Sequence, residues 1–175
     1  MENFDIDCCC CFTGYRPTKF PFSLLPDSME YIALKENINK TVNKLINKGV
    51  RRFYTGMASG FDLIAAMVVL NIKKSNTSVQ LVGVIPYPGQ ADSYAAAWKN
   101  LYDLVIENCD YTVLTSNSYH GGCFNVRNMY MVDNCRYVIS FYDGKPGGTK
   151  NTVMYAKKNG REIFNMCEGY NGTGN

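Results

Sequence analysis

Three short segments join glycine to hydroxyl, basic and acidic side chains. They are Thr13-Gly14-Tyr15-Arg16-Pro17, Thr55-Gly56-Met57-Ala58-Ser59-Gly60-Phe61-Asp62 and Asp143-Gly144-Lys145-Pro146-Gly147-Gly148-Thr149. Each follows a short apolar run and leads into a helical pattern. Glycine lets main chain lie close to a ligand and adopt positive φ. A helix that starts there aims unpaired N–H groups and its positive dipole end at whatever sits above it. Three such turns on one sheet edge would cradle phosphate, so the first expectation is a nucleotide-type ligand. Neither common phosphate fingerprint is present. Gly56 and Gly60 have the wrong spacing for G-x-G-x-x-G, and Pro146 after Gly144-Lys145 excludes a Walker A loop.

Other reactive side chains give less. Arg16 could clasp a phosphate bidentately or pack as a surface residue beside Pro17. Asp62 reads first as a helix cap and second as an acceptor for ribose hydroxyls. Thr149 could cap its helix or bind phosphate. Tyr87 and Tyr119 could stack on a base, although 13 tyrosines dilute either choice. His120, the only histidine, has no serine or cysteine nucleophile beside it and reads as an exposed loop residue. Cys8 to Cys11 are consecutive, so in a strand they alternate between faces and cannot grip one tetrahedral ion. Cys109, Cys123, Cys135 and Cys167 form no Cys-x-x-Cys pair. All eight are expected to be free, buried thiols, with no metal and no cofactor.

The surrounding pattern must position these turns. Asp27, three residues before Glu30, resembles a capping box. Met29, Ile32, Ile38, Val42, Leu45 and Ile46 follow helical spacing, and Gly49 ends the run. A strand near 52–55 precedes the second turn. The helix over 62–74 is apolar almost all round, as expected of a central helix or an oligomer contact. A doubly buried strand at 79–85 leads to Pro86-Tyr87-Pro88 and a helix over 92–108. A short strand at 111–114, a polar loop, and a helix with Arg127, Asn128, Met131 and Asp133 come next. A strand at 137–141, the third turn, a helix to about 159 and a strand at 162–166 complete the order. Strand and helix alternate with connections long enough for crossovers, the pattern of an α/β domain with a mostly parallel sheet. Such sheets bind ligands beyond the carboxyl ends of their strands. One domain is expected over 1–167, with a loose Gly- and Asn-rich tail over 168–175.

The chain has 175 residues, 46% hydrophobic and 19% charged, ordinary for a globular protein. No apolar stretch reaches spanning length, and Met1-Glu2-Asn3-Phe4-Asp5 lacks the basic start of a signal peptide. A cytoplasmic protein without membrane partners is expected. A net charge of +3 does not by itself imply nucleic acid. Lys40, Lys44 and Lys48, followed by Arg51 and Arg52, form a basic stripe that reads as a solvated helix face.

Taken together in order, the motifs resemble a known family. Thr13-Gly14-Tyr15-Arg16-Pro17, Thr55-Gly56-x-Ala58-x-Gly60-x-Asp62, Pro86-Tyr87-x-x-Gln90, Arg127-Asn128-x-x-Met131-Val132-Asp133 and Gly147-Gly148-Thr149 with Tyr155-Ala156 look like the YpsA-like family. That family belongs to the SLOG superfamily of Rossmann-like proteins, with the lonely guy phosphoribohydrolases and the DNA-processing protein DprA. The resemblance spans about residues 8–166. It implies a Rossmann-like three-layer fold, a nucleotide or nucleotide-sugar ligand such as an ADP-ribose derivative, and dimers or tetramers. Carried over by position, the ligand-binding set is Thr13, Gly14, Arg16, Gly56, Ala58, Gly60, Asp62, Tyr87, Arg127, Asn128, Gly147, Gly148 and Thr149. The phosphoribohydrolases carry a glutamate shortly after their Gly-Gly-x-Gly-Thr turn, whereas here no carboxylate follows Thr149 until Glu162. Cleaving an N-glycosidic bond calls for a carboxylate, so Asp62 or Asp133 would have to replace it. The leading expectation is therefore a non-catalytic module that senses, carries or sequesters a phosphate-bearing nucleotide derivative. The alternatives are hydrolysis of a nucleoside monophosphate and single-stranded DNA binding. Nucleic acid is the least expected partner of the three classes.

Overall fold

The computed structural model describes residues 5–168. Most of the tail expected over 168–175, and the first four residues, lie outside the described residues. After a turn of 3-10 helix the order is β1 (Cys9–Thr13), α1 (Met29–Asn47), β2 (Arg52–Thr55), α2 (Phe61–Lys73), β3 (Gln80–Ile85), α3 (Ala96–Asn108), β4 (Tyr111–Leu114), α4 (Cys123–Asp133), β5 (Tyr137–Ser140), α5 (Gly148–Lys158) and β6 (Glu162–Asn165). The sheet is six-stranded in the order β4-β3-β2-β1-β5-β6, and every pairing is parallel. The chain runs outward from β1 through β2, β3 and β4, then crosses back to place β5 on the other side of β1. That reversal opens a crevice above β1, where Rossmann-like sheets bind ligands.

Period-2 alternation in β1 divides the core into two layers. Cys10 and Phe12 join Leu34, Ile38 and Val42 of α1 and Phe61, Leu63 and Ala66 of α2. Cys9 and Cys11 turn the other way, against Met131 and Val132 of α4 and Ala156 of α5. All five residues of β1 are buried, as a central parallel strand requires. Cys9, Cys10 and Cys11 therefore pack as small hydrophobes on opposite faces; all eight cysteines are free thiols, but Cys8, in the 3-10 turn before β1, and Cys109 are only half-buried. Burial pushes the Cys9 thiol up to about 11, far from reactive thiolate.

Three local readings are corrected. Ser28, not Asp27, caps α1: its Oγ accepts from the Tyr31 N–H at 3.3 Å and donates to Glu30 at 2.9 Å. Aspartate and serine are both good caps, but the helical residues begin at Met29, which leaves Asp27 one position too early. α3 begins at Ala96, not near 92, because turns around Gly89 (φ 84°) and Ala91 occupy the intervening residues. Gly60, not Asp62, is the cap residue of α2, which places Asp62 inside the first turn.

Candidate functional site

Strand register brings the three glycine turns together. Thr13 at the end of β1 pairs with Ser140 at the end of β5, and Cys11 pairs with Tyr54 in β2. The three strands thus finish at nearly the same level. Cross-links tie their following loops. The Phe61 N–H donates to the Tyr15 carbonyl at 3.1 Å, and Thr149 Oγ1 donates to the Gly14 carbonyl at 3.0 Å. The Tyr15 hydroxyl donates to the Asp143 carboxylate in a short hydrogen bond. Lys145 Nζ lies 2.6 Å from the other oxygen of that carboxylate. Partial desolvation pushes the Asp143 acid up, but Lys145 and Tyr15 outweigh it and hold the group at about 2. Burial and that carboxylate push the Tyr15 phenol up to about 12.

Between the loops lies a cleft of about 240 Å³. The segment after β1 lines it with Thr13, Gly14, Tyr15, Arg16 and Lys19, the turn before α2 and its first turn with Ala58 and Asp62, α4 with Phe124, Arg127 and Asn128, and α5 with Gly148 and Thr149. The first residues of α2, α4 and α5 all border it.

Part of that lining is a buried ion pair. Arg127 Nη1 stands 3.8 Å from Asp62 Oδ2, with both side chains about 95% buried (5% and 6% exposed). The same nitrogen donates a short hydrogen bond to the Gly56 carbonyl. Arg127 Nε carries no hydrogen bond. A Cβ added at Gly56 would overlap the Arg127 guanidinium and crowd Asp62, so glycine is required for this approach. Gly60 is required for a second reason: its φ is 94°, and a Cβ there would strike the Tyr15 carbonyl. Burial raises the Asp62 pKa despite Arg127, and burial lowers that of Arg127 despite Asp62. Desolvation thus outweighs mutual attraction at both partners.

The expected set divides accordingly. Thr13, Gly14, Arg16, Ala58, Asp62, Arg127, Asn128, Gly148 and Thr149 line the cleft. Gly56 and Gly60 shape it from behind. Gly147 is exposed beside Lys19, and Tyr87 lies in a neighbouring cavity. Thr149 is not the cap of α5. Gly147 holds that position, leaving the threonine hydroxyl to join α5 to the loop after β1. Asn128 donates to Thr152 Oγ1 at 2.8 Å, which fixes its amide. Tyr15, Lys19 and Phe124 were not anticipated. Tyr15 could have been found inside its motif, whereas Lys19 follows no periodicity.

The remaining candidates fall elsewhere. Asp133 ends α4, exposed and bonded by the Tyr155 hydroxyl at 2.9 Å, so among the described residues Asp62 is the only carboxylate lining the cleft. His120 is exposed and closes its own loop through Ser116 at 3.1 Å and the Gly122 N–H at 3.2 Å. Of the basic stripe, Lys48 pairs with Glu162 at 3.3 Å, at the start of β6. Arg51 bonds the Ile46 and Val50 carbonyls at 2.7 and 2.8 Å. Arg52 is 1% exposed and bonds Gln80 Oε1 at 2.9 and 2.8 Å. These groups serve the amino ends of the strands, away from the cleft. Among the described residues, no group of three or more His, Cys, Asp or Glu could hold a metal ion, and no helix is long and apolar enough to cross a membrane.

Comparison with known proteins agrees with the topology. Residues 10–166 match the YspA SLOG family (YpsA). The uncharacterized SPbeta prophage-derived protein YoqJ of Bacillus subtilis is 25% identical over 155 residues, covering 80% of this chain and 91% of the relative. DNA processing protein A from Streptococcus pneumoniae superposes with a TM-score of 0.58 at 21% identity, over 89% of this chain and 49% of that one. The Helicobacter pylori protein of the same name, whose structure concerns its single-stranded DNA binding mode, gives 0.60 at 16% identity, over 91% and 65%. The chain therefore spans about half and under two thirds of these two proteins, and the likeness is one of fold.

Proposed function

Since the chain belongs to the YpsA family of SLOG proteins, we propose that its cleft binds a phosphate-bearing nucleotide derivative, which the protein senses, carries or sequesters. The observation that carries this reading is Arg127, a buried residue lining the cleft whose guanidinium has an unbonded Nε. A buried polar group without a partner is costly, and an anion is the complement it lacks. The N–H groups in the first turn of α5 add a second source of positive potential, and Arg16 and Lys19 a third. Against these stands one carboxylate, Asp62, which faces Arg127 at 3.8 Å.

Calorimetry with ADP-ribose, cyclic nucleotides and nucleoside monophosphates tests the reading. Saturable binding that Arg127→Gln weakens at least tenfold is expected. A folded wild type that binds nothing in the panel overturns it.

A second reading, one nucleotide of a single strand entering the same cleft, is favoured by the aromatic cluster of Tyr87, Tyr119 and Phe124 beside Arg16. Tyr87 contacts both other rings, with centroids 5.2 and 5.8 Å apart. Bases stack on such platforms with little sequence preference. It predicts salt-sensitive retention of an oligothymidylate; unchanged mobility at low salt removes it.

A further inference from the structure

The cleft is too small to enclose the whole of the ligand proposed for it. About 240 Å³ lies below the roughly 300–1,000 Å³ of pockets that enclose whole organic ligands. It accommodates a phosphate and part of a sugar. A second cavity of about 470 Å³ adjoins it, sharing Arg16 and Phe124 as a common wall. Its chemistry differs. Tyr87, Tyr94, Trp98 and Phe124 surround it, with Ser59, Ser93 and Gln90 between them.

The dividing wall is built for flat groups. The Arg16 guanidinium lies 5.8 Å from the Tyr94 ring centroid and 5.9 Å from that of Phe124. Its Nη1 bonds only neutral partners, Ser59 Oγ at 3.2 Å and the Tyr94 hydroxyl at 3.1 Å. Gln90, 3% exposed, fixes the floor through Nε2 to the Gly56 carbonyl at 3.0 Å and the Tyr94 hydroxyl at 3.2 Å. Its Oε1 carries no hydrogen bond. The same Gly56 carbonyl accepts from Arg127 on the cleft side. One backbone group thereby couples the two compartments.

We propose that this second cavity is a nucleobase pocket, so that the ligand is a nucleoside phosphate laid across Arg16, phosphate in the cleft and base among the aromatic rings. The inference rests on the phosphate reading of the cleft and adds which part of the ligand carries its recognition. Stacking on such rings contributes enough to change affinity by tenfold or more per base.

Trp98, the only tryptophan of the chain, lines the cavity and supplies its own reporter. Affinities for ribose 5-phosphate and for adenosine and cytidine monophosphates are measured by calorimetry, alongside tryptophan emission. At least one monophosphate is expected to bind about tenfold or more tightly than ribose 5-phosphate, and only base-bearing ligands should change the emission. Tyr87→Ala should remove that advantage while leaving ribose 5-phosphate binding intact. Ser93→Tyr, at an exposed loop position, should do the same by filling the cavity without touching the cleft. Equal affinities with unchanged emission would overturn the base pocket while leaving the phosphate reading standing. Binding of none of these ligands would instead defeat the phosphate reading, and the base pocket with it. A base advantage that survives in both folded variants would also overturn the proposal.

Discussion

The two ends of the sheet both carry basic residues and use them in opposite ways. At the amino ends, four cations have a committed partner: Arg51 two carbonyls, Arg52 the Gln80 amide, Lys48 the Glu162 carboxylate, and Arg136 the Asp7 carboxylate at 3.1 Å; Arg161 donates from Nη2 to the Asp133 carbonyl at 3.3 Å while its Nε, like that of Arg127, carries no hydrogen bond. Those contacts tie helices and strand starts together. At the carboxyl ends, Arg127 has an unbonded nitrogen, Arg16 is held by hydroxyls and rings, and Lys19 lines the cleft. A count of lysines and arginines along the chain does not separate these cases. Partnership does.

The largest effect should come from removing the buried guanidinium. Arg127→Met leaves Asp62 buried and unpaired, a loss of about 3–5 kcal/mol. At roughly 2–4 °C per kcal/mol for a domain of this size, the melting temperature should fall on the order of 10 °C. Adding Asp62→Leu should recover much of it, and a double-mutant cycle measures how much. A melting temperature no lower than that of Lys48→Ala would break the contrast between the two edges.

Gly56→Ala comes next. Its methyl group must displace the guanidinium, at about 1–3 kcal/mol, and nucleotide affinity should fall with it. Wild-type affinity in that variant would show that the Arg127 position is not what binds.

Asp143→Asn should have a smaller, pH-dependent effect. Its carboxyl sits at about 2 against an ordinary 3.8, so ionised Asp143 stabilises the fold above pH 3.8 and that contribution disappears as pH falls to about 2. The stability gap between wild type and variant, followed by denaturant titration, should be constant at neutral pH and close across that interval. A gap that persists at pH 2 would assign the effect to packing. At the amino edge, Lys48→Ala should change stability by less than about 1 kcal/mol, because the pair with Glu162 is half exposed. It should leave ligand affinity untouched; a loss of binding there would bring the basic stripe back into the function.

Much of the carboxyl edge was legible in the chain because strand–turn–helix grammar is local. Gly14, Arg16, Asp62 and Thr149 each follow a strand or open a helix, Arg127 lies in the second turn of α4, and parallel register does the rest. What failed depended on three-dimensional competition. Asp62 reads as a cap, yet Gly60 at positive φ takes that role and frees the carboxylate to face Arg127. Arg52 reads as part of a basic surface, but its fork fits between Gln80 and the Tyr111 ring, 5.4 Å away, inside the protein. Lys19 and Phe124 reach the cleft through an irregular crossing and a long-range helix placement, neither of which has a period to detect.

The tether from the Tyr15 phenol to Asp143 joins positions 128 residues apart. No contiguous fragment shorter than nearly the whole domain can therefore recreate the recognition surface. Occupancy by a small molecule would clamp early- and late-synthesised portions of the polypeptide simultaneously, making ligand-dependent protease resistance a readout of complete assembly rather than of any local patch.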